Sequence, residues 1–200
     1  MLSQVHWLGQ RCSLYLGLTM DTGYGFEEIG LPVGHAYPEV QFQPTIGTLV
    51  VRTRLVNCET PVHIYRLSSR HKNEISYHPI CDMDDSKSVM SFSVCLSVPV
   101  LYYSVFEMSD GGNNWEGLYR YNLETAKADC VIRRSQFSPP QSEYWHWISK
   151  LYSVSLDGNK VICQFGKLSK KGGRVQYSVA EFCTISLQLV VLCEMAGPHA

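Results

Sequence analysis

Apolar and polar positions alternate along most of this chain, and the alternation opens a four-part unit that recurs three times. Val40 and Phe42 alternate with Gln41 and Gln43, Phe92, Val94 and Leu96 with serines and Cys95, and Tyr152 and Val154 with Ser153 and Ser155. A period of two marks a strand with one face toward a core. Each alternating run leads into a turn: Pro44-Thr45-Ile46-Gly47, Val98-Pro99, and Leu156-Asp157-Gly158-Asn159. A more continuously apolar strand follows, beginning at Leu49, at Val100 and at Lys160. The third strands are predicted over His63–Leu67, Leu118–Leu123 and Val175–Phe182, and the fourth from Ile75, over Asp129–Arg133 and over Leu187–Leu192.

The units span residues 37–81, 90–137 and 148–195. Residues 1–36 hold one predicted strand, Cys12–Leu18, and a glycine-rich stretch, Asp21–Phe26, read as a flexible turn. The glycines there do not follow the G-x-G-x-x-G spacing of a nucleotide loop. No stretch carries a 3.6-residue period over a dozen positions.

Repeats of roughly 40–60 residues, each offering about four strands, are the pattern of a β-propeller. The expected fold is therefore all-β, a partial β-propeller of about three four-stranded antiparallel blades. Closed propellers use about four to eight blades. Three units leave open sheet edges, and open edges invite self-association. A truncated propeller fragment, a partial propeller that curls up and half of an assembly are all compatible with this count.

Composition changes this picture little. The 200 residues carry a net charge of −1 and are 18% charged, so no overall field draws the chain to nucleic acid. No apolar run approaches the roughly 18–20 residues that span a bilayer, and the short run Leu14–Leu18 lacks the basic flank of a signal peptide. The eight cysteines form no C-x-x-C pair, and several lie within apolar strands, as in Val161-Ile162-Cys163. They read as reduced core thiols of a cytoplasmic or nuclear protein.

Two segments carry a family resemblance. Val154-Ser155-Leu156-Asp157-Gly158-Asn159-Lys160-Val161-Ile162 resembles the F-S-P-D-G-x-x-[IV] turn of TolB-like and WD40-like propeller blades. Leu118-Tyr119-Arg120-Tyr121-Asn122-Leu123-Glu124-Thr125 resembles their third strand, of the form [IL]-[YW]-x-x-[DN]-L-x-T-G. Leu156 stands at the usual proline and Ala126 at the usual glycine, and no Gly-His or Trp-Asp pair is present. The chain is also similar to the β-rich substrate-reading domains attached to F-box proteins, without a helical F-box. The resemblance implies a scaffold on which many functions are built.

Tyr144-Trp145-His146-Trp147 is the densest aromatic cluster and follows the loop Ser138-Pro139-Pro140-Gln141. Such rings either plug the space between blades or form an interface hot spot. Lys167, Lys170, Lys171 and Arg174 make a basic loop, read either as a solvated hairpin tip or as a contact for phosphate or an acidic partner. Arg133-Arg134 beside Ser135 and Ser138-Pro139 reads as a phosphorylation-sensitive loop. Cys81–Ser86 begins like a calcium loop but lacks its glycine and distal glutamate. No zinc spacing, P-loop or nucleophile elbow occurs, so no catalytic residue, metal or cofactor is nominated.

The functional expectation is a protein-interaction module that contacts a protein partner through Trp115, Arg120, Tyr144, Trp145 and Trp147. The alternatives are a lyase or hydrolase with a channel site drawing on His35, His63 or His146, and a propeller fragment with no independent function.

Overall fold

The computed structural model describes residues 39–53, 78–80, 86–107 and 114–195 in full, and further strands outside these ranges by their backbone. The protein is all-β, with four antiparallel sheets in chain order. Sheet 1 contains β1 (Ser3–Leu8), β2 (Arg11–Met20) and β3 (Gly23–Gly30). Sheet 2 contains β4 (His35–Gln43), β5 (Thr48–Leu55), β6 (His63–His71) and β7 (Glu74–Pro79). Sheet 3 contains β8 (Lys87–Val94), β9 (Val100–Ser109), β10 (Gly112–Asn122) and β11 (Lys127–Arg133). Sheet 4 contains β12 (Tyr144–Val154), β13 (Lys160–Ser169), β14 (Gln176–Cys183) and β15 (Leu189–Glu194). Each sheet is a meander in which every strand pairs with the next in sequence, and none of the four closes on itself.

Two expectations need correction. The N-terminal segment holds three strands, not one, and the glycine-rich stretch read as a flexible turn enters β3. Its backbone pairs with β2 from Met20↔Gly23 to Ser13↔Gly30. Glycine lacks the side-chain signature by which strands are recognised, so the pairing leaves no mark in the pattern. The helical turn α1 (Arg134–Phe137) is too short to carry a periodicity that could announce it.

Sheets 2, 3 and 4 stack face to face. One face of sheet 3 presents Leu101, Tyr103, Val105 and Tyr121 to a core shared with Val50 of sheet 2. The opposite face presents Tyr102, Phe106, Trp115, Leu118 and Ile132 to Ile148, Leu151, Val161, Cys163 and Phe182 of sheet 4. Each large apolar side chain buried in this way contributes about 1.5–3 kcal/mol. Burial pushes the Cys163 thiol up to about 12, as expected of an inert core thiol. Cys95 is also buried, whereas Cys193 is exposed; Cys12, Cys58 and Cys81 lie outside the fully described residues.

The serines that mark the polar face of β8 are buried, with Ser88, Ser91 and Ser93 each below 7% exposure. Alternation predicts that face to meet water. Instead it meets sheet 4, and the Ser91 hydroxyl oxygen accepts the Leu151 N–H at 3.0 Å. A neighbouring sheet thus replaces solvent as the hydrogen-bond partner.

Candidate interaction groove beside the aromatic cluster

The groove is assembled where sheet 3 hands the chain to sheet 4. After β11 the backbone tightens into α1, where Gln136 Oε1 accepts the Arg133 N–H at 3.0 Å and the Ser138 N–H reaches the Arg134 carbonyl at 2.7 Å. The turn directs Phe137 into the core, edge-on to Phe165 and Phe182. Arg134 extends the other way, and its guanidinium donates to Asn114 Oδ1 at 2.9 Å.

In β12 the period of two then separates the aromatic cluster. Trp145 pairs with Leu168 and Trp147 with Gly166, while His146 turns toward Phe137 and Phe165. Trp147 can lie against β13 only because Gly166 has no side chain: a Cβ there would stand 2.2 Å from Trp147 Cε2. The rings of the cluster divide between two environments. His146 fills the inter-sheet space, and Trp145 remains 37% exposed.

The hairpin between β13 and β14 folds back onto this surface. The Lys170 N–H donates to the Glu143 carbonyl at 2.9 Å, and Lys170 Nζ donates to the carbonyls of Pro139 and Pro140 at 3.2 and 3.0 Å. Nζ then lies 4.4 Å from the Trp145 ring centre, the Arg134 guanidinium carbon 4.5 Å from the same ring, and Lys167 Nζ 4.0 Å from the Tyr144 ring. These are cation–π distances. The basic loop is therefore no free hairpin tip at Lys170. It joins the Arg133-Arg134 segment and the aromatic cluster at one place.

Two adjoining cavities open there, of about 470 and 600 Å³. Trp115, Arg134 and Trp145 line both. The larger is also lined by Arg133, Lys170, Glu107 and Glu116. Glu116 is already engaged: Lys87 Nζ lies 3.2 Å from its carboxylate, and the Tyr119 hydroxyl donates to Oε1 at 2.6 Å. Burial, with the neighbouring Glu116 carboxylate, pushes the Tyr119 hydroxyl far up, so it remains a donor.

His146 is depressed, first by burial and then by the charges of Lys167 and Lys170, against the opposing effect of the Phe137 carbonyl 3.3 Å from Nδ1. The imidazole is therefore neutral at physiological pH. Among the described residues no group of three His, Cys, Asp or Glu side chains is placed to hold a metal ion. None of their helices is long and apolar enough to cross a membrane.

Of the five contact residues expected from sequence, Trp145 and Trp147 line the groove, and Tyr144, on the same strand, lines neither cavity. Trp115 is 3% exposed and donates its indole N–H to Ser104 Oγ at 2.9 Å, so it forms the floor of the groove and not an outward contact. Arg120, on β10 opposite Tyr102 and Asp129, lines neither cavity. Arg134 and Lys170 were absent from that set. Their signal was present as two basic segments flanking the aromatic run, but their meeting depends on the hairpin fold-back. His35, His63 and the Cys81–Asp85 segment lie outside the fully described residues. No protein-family model matches the chain, and comparison with curated proteins finds no match.

Proposed function

We propose that this chain is a protein-interaction module built from β-propeller blades, and that the groove beside Trp145 holds an acidic segment of a partner protein. The three complete four-stranded meanders, stacked face to face, support the propeller reading. The observation that carries the binding reading is the placement of Arg134 and Lys170 within 4.5 Å of one partly exposed tryptophan at the mouth of a cavity. Arginine and tryptophan together are the composition of an interface hot spot. The larger cavity carries three cations, Arg133, Arg134 and Lys170, against two carboxylates, Glu107 and the Lys87-paired Glu116, so its lining is net positive although the chain as a whole is near neutral. Charge complementarity then selects a partner carrying carboxylates.

The experiment is a titration of the full chain with a ten-residue glutamate-rich peptide containing one aromatic residue, read by tryptophan fluorescence. A neutral glutamine analogue is the control. Binding that weakens at least tenfold in Arg134→Glu and Lys170→Glu, and with added salt, supports the reading. Equal affinity for both peptides, or no effect of either substitution, refutes it.

A further inference from the structure

Three serines lie in the segment that carries the chain from β11 into β12, and their surroundings differ. Ser138 is 4% exposed, and its hydroxyl oxygen accepts the His146 N–H at 2.6 Å. Ser142 is half-buried. Its hydroxyl donates to the Tyr144 carbonyl at 3.0 Å and accepts the Tyr144 N–H at 3.2 Å. Both hydroxyls are thus engaged in holding the loop. Ser135 is exposed, on the turn α1, of which no residue is fully buried. It lines the larger cavity together with Arg133, Arg134 and Lys170.

The cations there retain unused donors. Lys170 Nζ gives two of its N–H groups to the Pro139 and Pro140 carbonyls and keeps another. The Arg134 guanidinium gives one N–H to Asn114 Oδ1 and keeps the rest of its fork. Both cations stand within 4.5 Å of the same Trp145 ring centre. A phosphate group fits such donors. It has strong acceptor oxygens and a charge of about −1.5 to −2 at neutral pH, and opposite arginine and lysine it forms charge-assisted hydrogen bonds.

We propose that Ser135 is a phosphorylation site, that Arg134 and Lys170 receive the phosphoryl group in the larger cavity, and that the modification closes the groove to an acidic segment. The closure rests on the acidic-segment reading, whereas the site and its pairing do not. A separate protein kinase supplies a nucleoside triphosphate. Ser135 Oγ attacks its γ-phosphorus, and the new O–P bond forms as the bond to the β,γ-bridging oxygen breaks. The nucleoside diphosphate leaves, the hydroxyl proton passes to a base of the kinase, and nothing is oxidised or reduced. The closure follows from charge. Three cations and two carboxylates line the cavity, and a phosphate dianion among them outweighs the positive excess and turns the lining negative. A segment rich in carboxylates then meets repulsion where it met attraction.

The test starts from a serine kinase that modifies a free peptide of residues 129–142. Acting on the folded full chain, it is expected to add one phosphoryl group, placed at Ser135 by tandem mass spectrometry and absent from Ser135→Ala. Modification at Ser138 or Ser142 instead, or of the free peptide alone, overturns the site. Phosphorus NMR of the chain carrying phosphoserine at 135 tests the pairing. The second ionisation of the phosphate is expected below the value of about 6 for an unpaired group, and to return toward it in Arg134→Gln and in Lys170→Gln. An unshifted ionisation, or one indifferent to both substitutions, overturns the pairing. Phosphorylation is also expected to weaken binding of the glutamate-rich peptide at least tenfold, and kinase treatment of Ser135→Ala to leave its affinity unchanged. Peptide binding that survives phosphorylation overturns the closure. Failure of the acidic-segment reading shows separately, as no binding of that peptide to the unmodified chain, and it overturns the closure while site mapping and NMR decide the rest.

Discussion

Asn122 and Cys183 stand at the same point of consecutive sheets, at the end of the third strand, and each holds the following turn by the same device. Asn122 Oδ1 accepts the N–H groups of Glu124 and Thr125, both at 2.9 Å. Cys183 Sγ takes the N–H groups of Ile185 and Ser186 together with the Ser186 hydroxyl, and these donors hold the thiol below its ordinary range. Two residues after each donor set begins, the chain passes through left-handed backbone, at Ala126 with φ +55° and at Leu187 with φ +57°. The resemblance to propeller blades implies glycine at the first of these places, and the structure shows why: the turn needs a positive φ whatever residue supplies it.

A left-handed conformation is costly for a residue with a Cβ. Ala126→Gly and Leu187→Gly are therefore expected each to stabilise the fold, by up to about 1 kcal/mol after the greater chain entropy of glycine is offset. Urea denaturation of the two single variants and their double measures this. A loss of stability in both would show that the strain is not felt.

Gln43 is fully buried and its amide reaches two carbonyls of the next sheet, while its Oε1 accepts from Thr45 Oγ1 and the Ile46 N–H. Gln43→Ala leaves those acceptors and donors unpaired, and the expected cost is about 1–3 kcal/mol or more. Gln43→Glu replaces the donating amide by a carboxylate facing two carbonyls and is expected to cost more than alanine. Equilibrium unfolding distinguishes the two, and a neutral Gln43→Ala contradicts the role assigned to this side chain.

The neutral His146 makes stability depend on pH in a defined direction. Its folded-state affinity for protons lies below the unfolded value near 6.5. As pH falls through 6.5 the unfolded chain gains a proton that the folded chain does not, so stability declines until the folded value is passed. Above pH 6.5 the contribution is constant. Melting temperatures between pH 5 and 8 are expected to fall less steeply in His146→Phe than in the parent chain. Identical slopes would place the titration elsewhere.

Gly166 is fixed by the Trp147 ring. Gly166→Ala is expected to lift the indole off β13, costing about 1–3 kcal/mol as overpacking does. A red-shifted tryptophan emission and weaker binding of the acidic peptide should accompany the loss, because Trp147 lines the smaller cavity. Unchanged emission would mean that the ring has room to spare.

Much of the fold is legible in the sequence. The strands of the second and third units follow from two-residue alternation and from turns such as Asp157-Gly158, where Gly158 has φ +73° and a Cβ would meet Val98 Cγ2 at 2.8 Å. The strand at Gly23–Gly30 was not legible, because glycine pairs through its backbone without a side-chain pattern. For the groove, the aromatic half was visible as Tyr144–Trp147, and the cationic half was visible only as two separate basic segments.

Side-chain periodicity marks the local units of residues 37–195: which runs are strands, where they turn, and that an alternating strand has one face to bury. Those properties depend on side-chain periodicity and on turn residues a few positions apart, which a linear pattern carries. What each face meets is set by the packing of one sheet on another. The buried serines of β8, the inward turn of His146 and the arrival of Lys170 beside Arg134 depend on pairings between residues tens of positions apart. A polar residue reads the same in sequence whether its hydrogen bond goes to water or to a neighbouring sheet, and the stacking of sheets is what chooses between them.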